Sequence, residues 1–235
     1  MENNTSIFET LKQRPPESLT SEELSEAIKQ DIRCVGLVPE GMQIEGMSRL
    51  SKQEIKDIKA VSDDHEYLRW SLHKMPLERR TDAVCQAAVN ADPLNLMDVP
   101  ENKLSDVYLL HLLRKDGSNL FLVNENRRTP EMYMTAIENC GRSLHSFPKE
   151  MITPKIAMKA VQQDGSAIEF VPENVKTPDI CRVALSSNCK DYEVIQYVPF
   201  PEVCFQAVKS NDDRQEKKHE HRNFRQPEKR RKMNI

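Results

Sequence analysis

The stretch TPKIAMKAVQQDGSAIEFVPENVK, residues 153–176, is followed directly by TPDICRVALSSNC, residues 177–189, which begins in the same way. Counting from Thr153 in steps of 24 residues reaches further hydroxyl residues at Thr81, Ser105, Thr129 and Thr177. Serine and threonine are preferred helix N-caps, because the side-chain oxygen accepts from free N–H groups of the first turn. The repetition therefore predicts a series of helices that begin at these residues.

Other positions of the repeat predict how each helix continues; we number them from the capping residue, which is position 0. Position 1 holds proline or aspartate, which both suit the first turn, and apolar residues recur at positions 3, 7 and 8, along one helical face. Alanine recurs at position 7 and indicates close approach by a neighbouring helix. Glycine at position 12 (Gly117, Gly141 and Gly165) fits a helix C-cap, where φ is often positive.

A second, shorter element is predicted in the latter half of each repeat. Position 15 is leucine or isoleucine and position 18 is valine or phenylalanine, while position 19 is often proline. This spacing fits about one and a half helical turns that proline stops. Noisier copies begin at Thr20 and near Asp57, and a truncated copy begins at residue 201.

The unit TPEMYMTAIENCGRSLHSFPKEMI, residues 129–152, resembles a bacterial tandem repeat family of unknown function whose units read T-P-E-x-C-x-x-A-V-x-x-x-G-x-x-L-x-x-V-P. The resemblance covers residues 81–211 well and residues 20–80 weakly. Asp106 and Leu112 depart from it, since they replace the proline and the alanine. The resemblance implies α-solenoid architecture and a bacterial or related origin, and it implies no activity.

These observations predict an all-α fold, an α-solenoid-like array of two-helix repeats. One such unit cannot bury its own apolar stripe, whereas stacked units bury a continuous core. We expect an N-terminal segment (1–19), a divergent first repeat and joint (20–56), a helical repeat domain (57–211) and a basic C-terminal tail (212–235) that is disordered or extended.

The charges of the 235-residue chain are divided unequally. Its formal net charge is −3, from 34 lysine and arginine residues against 37 acidic residues. Residues 214–235 contain nine basic and three acidic residues, so this tail carries +6 and the rest of the chain carries −9. The tail composition predicts disorder when the tail is unbound, and its cations can displace condensed counterions from DNA or RNA.

The candidate nucleic-acid-binding residues all lie in this tail. Phe224, which stands between two arginines, can stack on a base while the cations contact phosphates. The candidates are Arg214, Lys217, Lys218, Arg222, Phe224, Arg225, Lys229, Arg230, Arg231 and Lys232. Three alternatives stay open for the tail: a solubilising terminus, docking on the acidic part of a neighbouring subunit, and a nuclear import signal in PEKRRK, residues 227–232.

No residue set predicts a catalytic, cofactor or metal site. His219, Glu220 and His221 are candidate metal ligands, but their spacing needs a specific turn and a further ligand, so we interpret them as solvated tail residues. Cys85, Cys181 and Cys204 share position 4, which predicts core residues rather than nucleophiles. We expect no cofactor, no small-molecule substrate, no membrane span, reduced thiols and a cytoplasmic location.

Two functional hypotheses follow from these patterns. The first is a non-enzymatic nucleic-acid-binding regulator, an oligomeric transcription factor whose basic tails engage DNA together. The second is a helical-repeat module for protein interaction, such as a secreted bacterial effector or an assembly scaffold. An enzyme with an unfamiliar site is a third alternative, to which no residue set points.

Overall fold

A computed structural model describes residues 6–39, 41–62, 71–186 and 192–204. Within these ranges every regular element is a helix and there is no strand, as the all-α prediction required. We label the α-helices in chain order. They are α1 (Ile7–Lys12), α2 (Ser21–Gln30), α3 (Lys52–Ser62), α4 (Ser71–Lys74), α5 (Asp82–Ala91), α6 (Asp106–Lys115), α7 (Pro130–Asn139), α8 (Pro154–Gln163) and α9 (Pro178–Ser186).

The shorter element of each repeat is a 3-10 helix rather than the predicted stretch of α-helix. Six-residue 3-10 helices follow the α-helices at Ile32–Leu37, Pro93–Asp98, Gly117–Leu122, Gly141–Ser146, Gly165–Phe170 and Tyr192–Tyr197. Three-residue 3-10 helices occur at Pro16–Ser18, Glu45–Met47, Leu77–Arg79, Glu125–Arg127 and Lys149–Met151. The tighter winding suits so short an element.

The predicted caps are present at all five positions of the 24-residue series. Thr129 Oγ1 accepts from the N–H of Met132 at 3.2 Å, and Thr81, Ser105, Thr153 and Thr177 accept in the same way three residues later. Thr20 forms a full capping box with Glu23 at the start of α2. The hydroxyl residues therefore fix where these helices begin.

In four repeats an aspartate at position 11 connects the α-helix to the 3-10 helix after it, whereas Cys140 holds this position after α7 and makes no side-chain cap. The backbone N–H of Asp164 donates to Ala160 O at the end of α8, and its carboxylate accepts from Ser166 N at 2.9 Å. Asp31, Asp92 and Asp116 make the same pair of bonds. One residue thus ends one helix and caps the next, a role that the repeat pattern did not predict.

The prediction that the glycines at position 12 are helix C-caps with positive φ is wrong. Gly117 and Gly141 are not left-handed caps; among the described residues only Gly41 and Leu104 have positive φ. A β-carbon at Gly117 would lie 2.1 Å from Ala136 O. Glycine is needed because the backbones touch, which accounts for the alanine at position 7 of the following repeat.

The chain divides into two compact units, each described by itself. Unit 1 comprises Met1–His111 and Leu122–Arg128, and in it α3 packs against α5 and against the 3-10 helix Ile32–Leu37. The buried side chains there include Leu24, Ala27, Ile58 and Val84. The helix that contains Asp57 begins at Lys52, earlier than the repeat start predicted near Asp57.

Unit 2 comprises Leu112–Phe121 and Thr129–Ile235. In it α8 packs against α7 and α9, and the 3-10 helix Gly141–Ser146 packs against Gly165–Phe170. Positions 7 and 8 are buried in its first two full repeats, as Ala136, Ile137, Ala160 and Val161 show. Consecutive repeats therefore stack in chain order within this unit, whereas the solenoid arrangement of the whole chain stays a prediction.

Candidate interaction surface

The predicted nucleic-acid-binding residues, Arg214 to Lys232, lie outside the described residues. The same holds for the candidate metal ligands His219, Glu220 and His221. The structure therefore places none of the residues of the predicted tail site, and the site remains a prediction from composition and charge.

Two of the three cysteines at position 4 are core residues, as the sequence predicted. Cys85 and Cys181 are fully buried, and Cys204 is half-buried. Burial raises the pKa of the Cys85 thiol to about 11 and that of Cys34 to about 12. Thiols with raised pKa are poor nucleophiles at neutral pH, because the thiolate is the reactive form. The described cysteines form no disulfide.

Neither a metal-binding cluster nor a membrane-spanning helix occurs in the part of the chain that the structure describes. Those residues hold no group of three or more histidine, cysteine or acidic side chains able to bind a metal ion. Their helices also include none that is long and apolar enough to cross a membrane.

A buried ion pair in unit 1 organises several polar side chains. Asp31 and Arg33 are 4% and 6% exposed, and Arg33 Nη2 lies 2.8 Å from Asp31 Oδ2. Asn90 donates to Asp31, Tyr108 donates to Asn90 at 2.8 Å, and Ser6 donates to Asp31 at 3.2 Å. This cluster ties α1, α2, α5 and α6 together, and its members satisfy one another.

Burial and the neighbouring Arg33 shift the pKa of Asp31 in opposite directions. Burial alone would raise the pKa of Asp31, but the hydrogen bonds and charge of Arg33 bring it below its ordinary value. Burial raises the pKa of the Tyr108 hydroxyl. Both groups therefore stay in one protonation state near neutral pH.

Cations at position 23 hold the loops between repeats. Arg80 donates to three backbone carbonyls, Met75 O at 2.9 Å, His73 O at 3.0 Å and Asp98 O at 2.6 Å. Arg128, two repeats later, donates to Val123 O at 2.8 Å. These guanidinium groups are occupied by protein acceptors, so they are poor candidates for a ligand site.

The clearest surface feature of unit 2 is an aromatic stripe, which we define as Phe121, His145 and Phe170 with Arg142 and Glu169. The ring centroids of Phe121 and His145 lie 6.3 Å apart, and those of His145 and Phe170 lie 5.7 Å apart. Phe121 is 50% exposed, and His145 is exposed as well. Each ring belongs to a different repeat, so the stripe crosses the 3-10 helices Gly117–Leu122, Gly141–Ser146 and Gly165–Phe170.

Hydrogen bonds and an ion pair fix the polar members of the stripe. Arg142 lies over the Phe170 ring at 5.4 Å from its centroid, donates to Ser166 at 3.1 Å and pairs with Glu169 at 3.5 Å. The Nδ1–H of His145 donates to Arg142 O at 2.9 Å, which leaves Nε2 to accept from the Ser146 hydroxyl at 3.0 Å. The imidazole is therefore held in one orientation.

Unit 1 has a different exposed surface, made of large aliphatic and thioether side chains. They are Leu77, Leu94, Met97 and Val107, which are 66%, 37%, 74% and 74% exposed. Exposed apolar side chains mark a protein-interaction surface when they form a contiguous patch.

The sequence carries a signal for the stripe that residue type alone does not reveal. Position 16 holds His73, Met97, Phe121, His145 and Glu169 in successive repeats, while Phe170 stands one residue later, at position 17. The histidines stand at no common distance from any residue that could act with them, so residue type alone gives no reason to group them. The shared register position, rather than the residue type, indicates that these side chains occupy equivalent sites.

Comparison with known proteins finds a family model that matches part of the chain. The family model described as a domain of unknown function (DUF4116) matches residues 153–203, less than a quarter of the chain. No curated protein and no solved structure matches the chain. The matched segment contains α8 and α9 and so is helical, and it carries no activity that can be transferred.

Proposed function

We propose that this protein is a non-enzymatic nucleic-acid-binding regulator, an oligomeric DNA-binding transcription factor that uses its basic tail. The observation that carries the proposal is the division of charge, +6 in residues 214–235 against −9 in the rest of the chain. A dense group of lysine and arginine residues attracts the phosphate backbone and releases its counterions. One flexible tail binds weakly, whereas several linked tails raise the effective concentration of the next contact.

The test is to delete residues 214–235 and measure binding to duplex DNA at about 50 mM and about 200 mM salt. The full chain should lose affinity steeply between the two salt concentrations, with log K falling by about 0.9 per log unit of salt for each phosphate neutralised. The truncated chain should bind far more weakly. Equal affinity of the two forms, or no binding by either, would contradict the proposal.

A matched variant separates charge from chain length. Changing Lys229, Arg230, Arg231 and Lys232 to glutamine keeps the tail but removes four of its nine cations. The slope of log K against log salt concentration should then become shallower by up to about 0.9 for each of the four cations removed. The mass of the full chain in solution, measured by light scattering, tests the proposed oligomer.

The exposed apolar surface of unit 1 favours a second candidate, a protein-interaction module such as a scaffold or a secreted effector. Leu77, Met97 and Val107 are each more than three-fifths exposed. If this candidate is right, the tail-deleted chain should retain a protein partner that Met97→Asp and Val107→Asp variants lose. Retention of that partner by both variants would contradict it.

A further inference from the structure

We propose that the aromatic stripe of unit 2 stacks against the bases of a single-stranded nucleic acid. The inference goes beyond the proposed function, which concerns duplex DNA, and rests on it because the basic tail would supply the attraction for phosphates that the stripe lacks. It adds a site in the folded part of the chain, made of Phe121, His145 and Phe170 with Arg142.

One ring lies in the six-residue 3-10 helix of each of three consecutive repeats, with Phe121 and His145 at position 16 and Phe170 at position 17. The ring centroids are separated by 6.3 Å and 5.7 Å, and the paired planes are tilted by 46° and 53°. The rings are therefore a row of neighbours and not one closed stack, and half of the Phe121 surface faces outward. Single-stranded nucleic acids offer a succession of flat bases, and base–aromatic stacking tolerates any sequence because every base has a π-face.

The scaffold holds the rings in place before any ligand arrives. Position 15, directly before position 16, is buried in all three repeats, with Leu120, Leu144 and Ile168 no more than 1% exposed. His145 is fixed by two hydrogen bonds, since its Nδ1–H donates to Arg142 O and its Nε2 accepts from the Ser146 hydroxyl. A preformed surface loses little side-chain entropy on binding.

The charges of the stripe favour bases over a charged peptide. Arg142 pairs with Glu169 at 3.5 Å, so the guanidinium brings no surplus charge to the surface, yet it lies over the ring of Phe170. Guanidinium planes stack on bases as aromatic rings do. The rest of the chain carries −9, so the attraction for a polyanion comes from the +6 of the tail alone. A nucleic acid fits both the stripe and the tail, because its bases are flat and uncharged and its backbone is a polyanion.

The test uses the full chain and two labelled probes, oligothymidylate and an abasic strand of the same length, with affinity measured by fluorescence anisotropy. Phe121→Leu and Phe170→Leu keep an apolar side chain but remove the ring. Each should weaken oligothymidylate binding on the order of tenfold and leave abasic-strand binding unchanged. Phe121→Trp should retain or strengthen binding. Gln162→Ala, at an exposed position of α8 outside the stripe, is the control and should have no effect.

The salt dependence distinguishes this inference from the proposed function. The leucine variants should keep the salt slope of the parent, because stacking releases few counterions, whereas the tail deletion should reduce that slope. If both leucine variants bind oligothymidylate as tightly as the parent while the tail deletion still weakens binding, the inference is wrong and the proposed function stands. If the leucine variants lose a protein partner but not the oligonucleotide, the stripe is a protein site and the inference is again wrong. Thermal unfolding of each variant confirms that the fold is retained.

Discussion

Gly141 lies directly against the backbone of Ala160, and a β-carbon at position 141 would lie 2.3 Å from the Ala160 carbonyl oxygen. That oxygen accepts from Asp164 N at 2.9 Å, so it belongs to the last turn of α8 and cannot move without breaking the bond that ends the helix. The contact joins position 12 of one repeat to position 7 of the next. It explains why small residues recur at both positions.

Gly141→Ala should therefore destabilise the protein by about 3 kcal/mol, at the upper end of the range for overpacking, because backbone rather than a flexible side chain must move. Urea unfolding followed by circular dichroism measures the free energy. Gly36→Ala is the matched control, since a β-carbon there would meet only Lys59 Cγ at 3.5 Å. That variant should be neutral or more stable by about 0.5 kcal/mol. Equal effects at the two glycines would contradict this account.

Asp31→Asn should destabilise the protein by about 3 kcal/mol at neutral pH, because it leaves the buried Arg33 guanidinium without its main counter-charge. The carboxylate of Asp31 has a lowered pKa, so its stabilising effect is present above its ordinary value of 3.8 and is lost as the pH falls through the lower folded value. The difference between parent and variant should therefore narrow only below about pH 4.

Denaturant unfolding between neutral and acidic pH checks this prediction. Glu26→Gln on the preceding helix α2 is the control, since Glu26 and Lys29 are 63% and 70% exposed and their pair should contribute less than about 0.5 kcal/mol. A pH-independent difference between the parent and the Asp31→Asn variant would show that the charge of Asp31 is not what stabilises the cluster.

Arg80→Met should cost about 2 kcal/mol, because three carbonyl oxygens lose a charged donor while the apolar length of the side chain is kept. Arg80→Lys should recover only part of the loss, since an ammonium group cannot reproduce the planar fork of the guanidinium. Thermal unfolding measures both. If lysine restores full stability, charge alone rather than the geometry of the guanidinium holds these loops.

Thr129→Ala should destabilise by about 1 kcal/mol, because the N–H of Met132 loses its acceptor at the start of α7. Thr129→Ser keeps the hydroxyl and should be close to neutral. Hydrogen exchange at Met132 and its neighbours gives a local readout, and protection there should fall in the alanine variant alone. Unchanged protection in that variant would indicate that packing, not the cap, fixes the helix start.

Much of the fold could be predicted from the chain because the determinants are local and repeated. The hydroxyl at position 0, the apolar residues at positions 3, 7 and 8 and the proline at position 19 act within one turn of where they stand. The 3-10 winding of the short helices, the double role of Asp164 and the reason for Gly141 could not be predicted in the same way. The role of Gly141 depends on the backbone of the next repeat, whereas the bonds of Asp164 are local but are absent from the repeat pattern because Cys140 holds the same position after α7.

The sequence by itself determined the helical repeat and the division of charge between the acidic repeats and the basic tail, because periodicity and formal charge are properties of the residue order. Tertiary structure alone decided that Phe121, His145 and Phe170 stand side by side and that Asp31 meets Asn90, 59 residues away. Stacking of successive repeats brings together side chains that are distant in the chain, and no local preference of any residue specifies that contact.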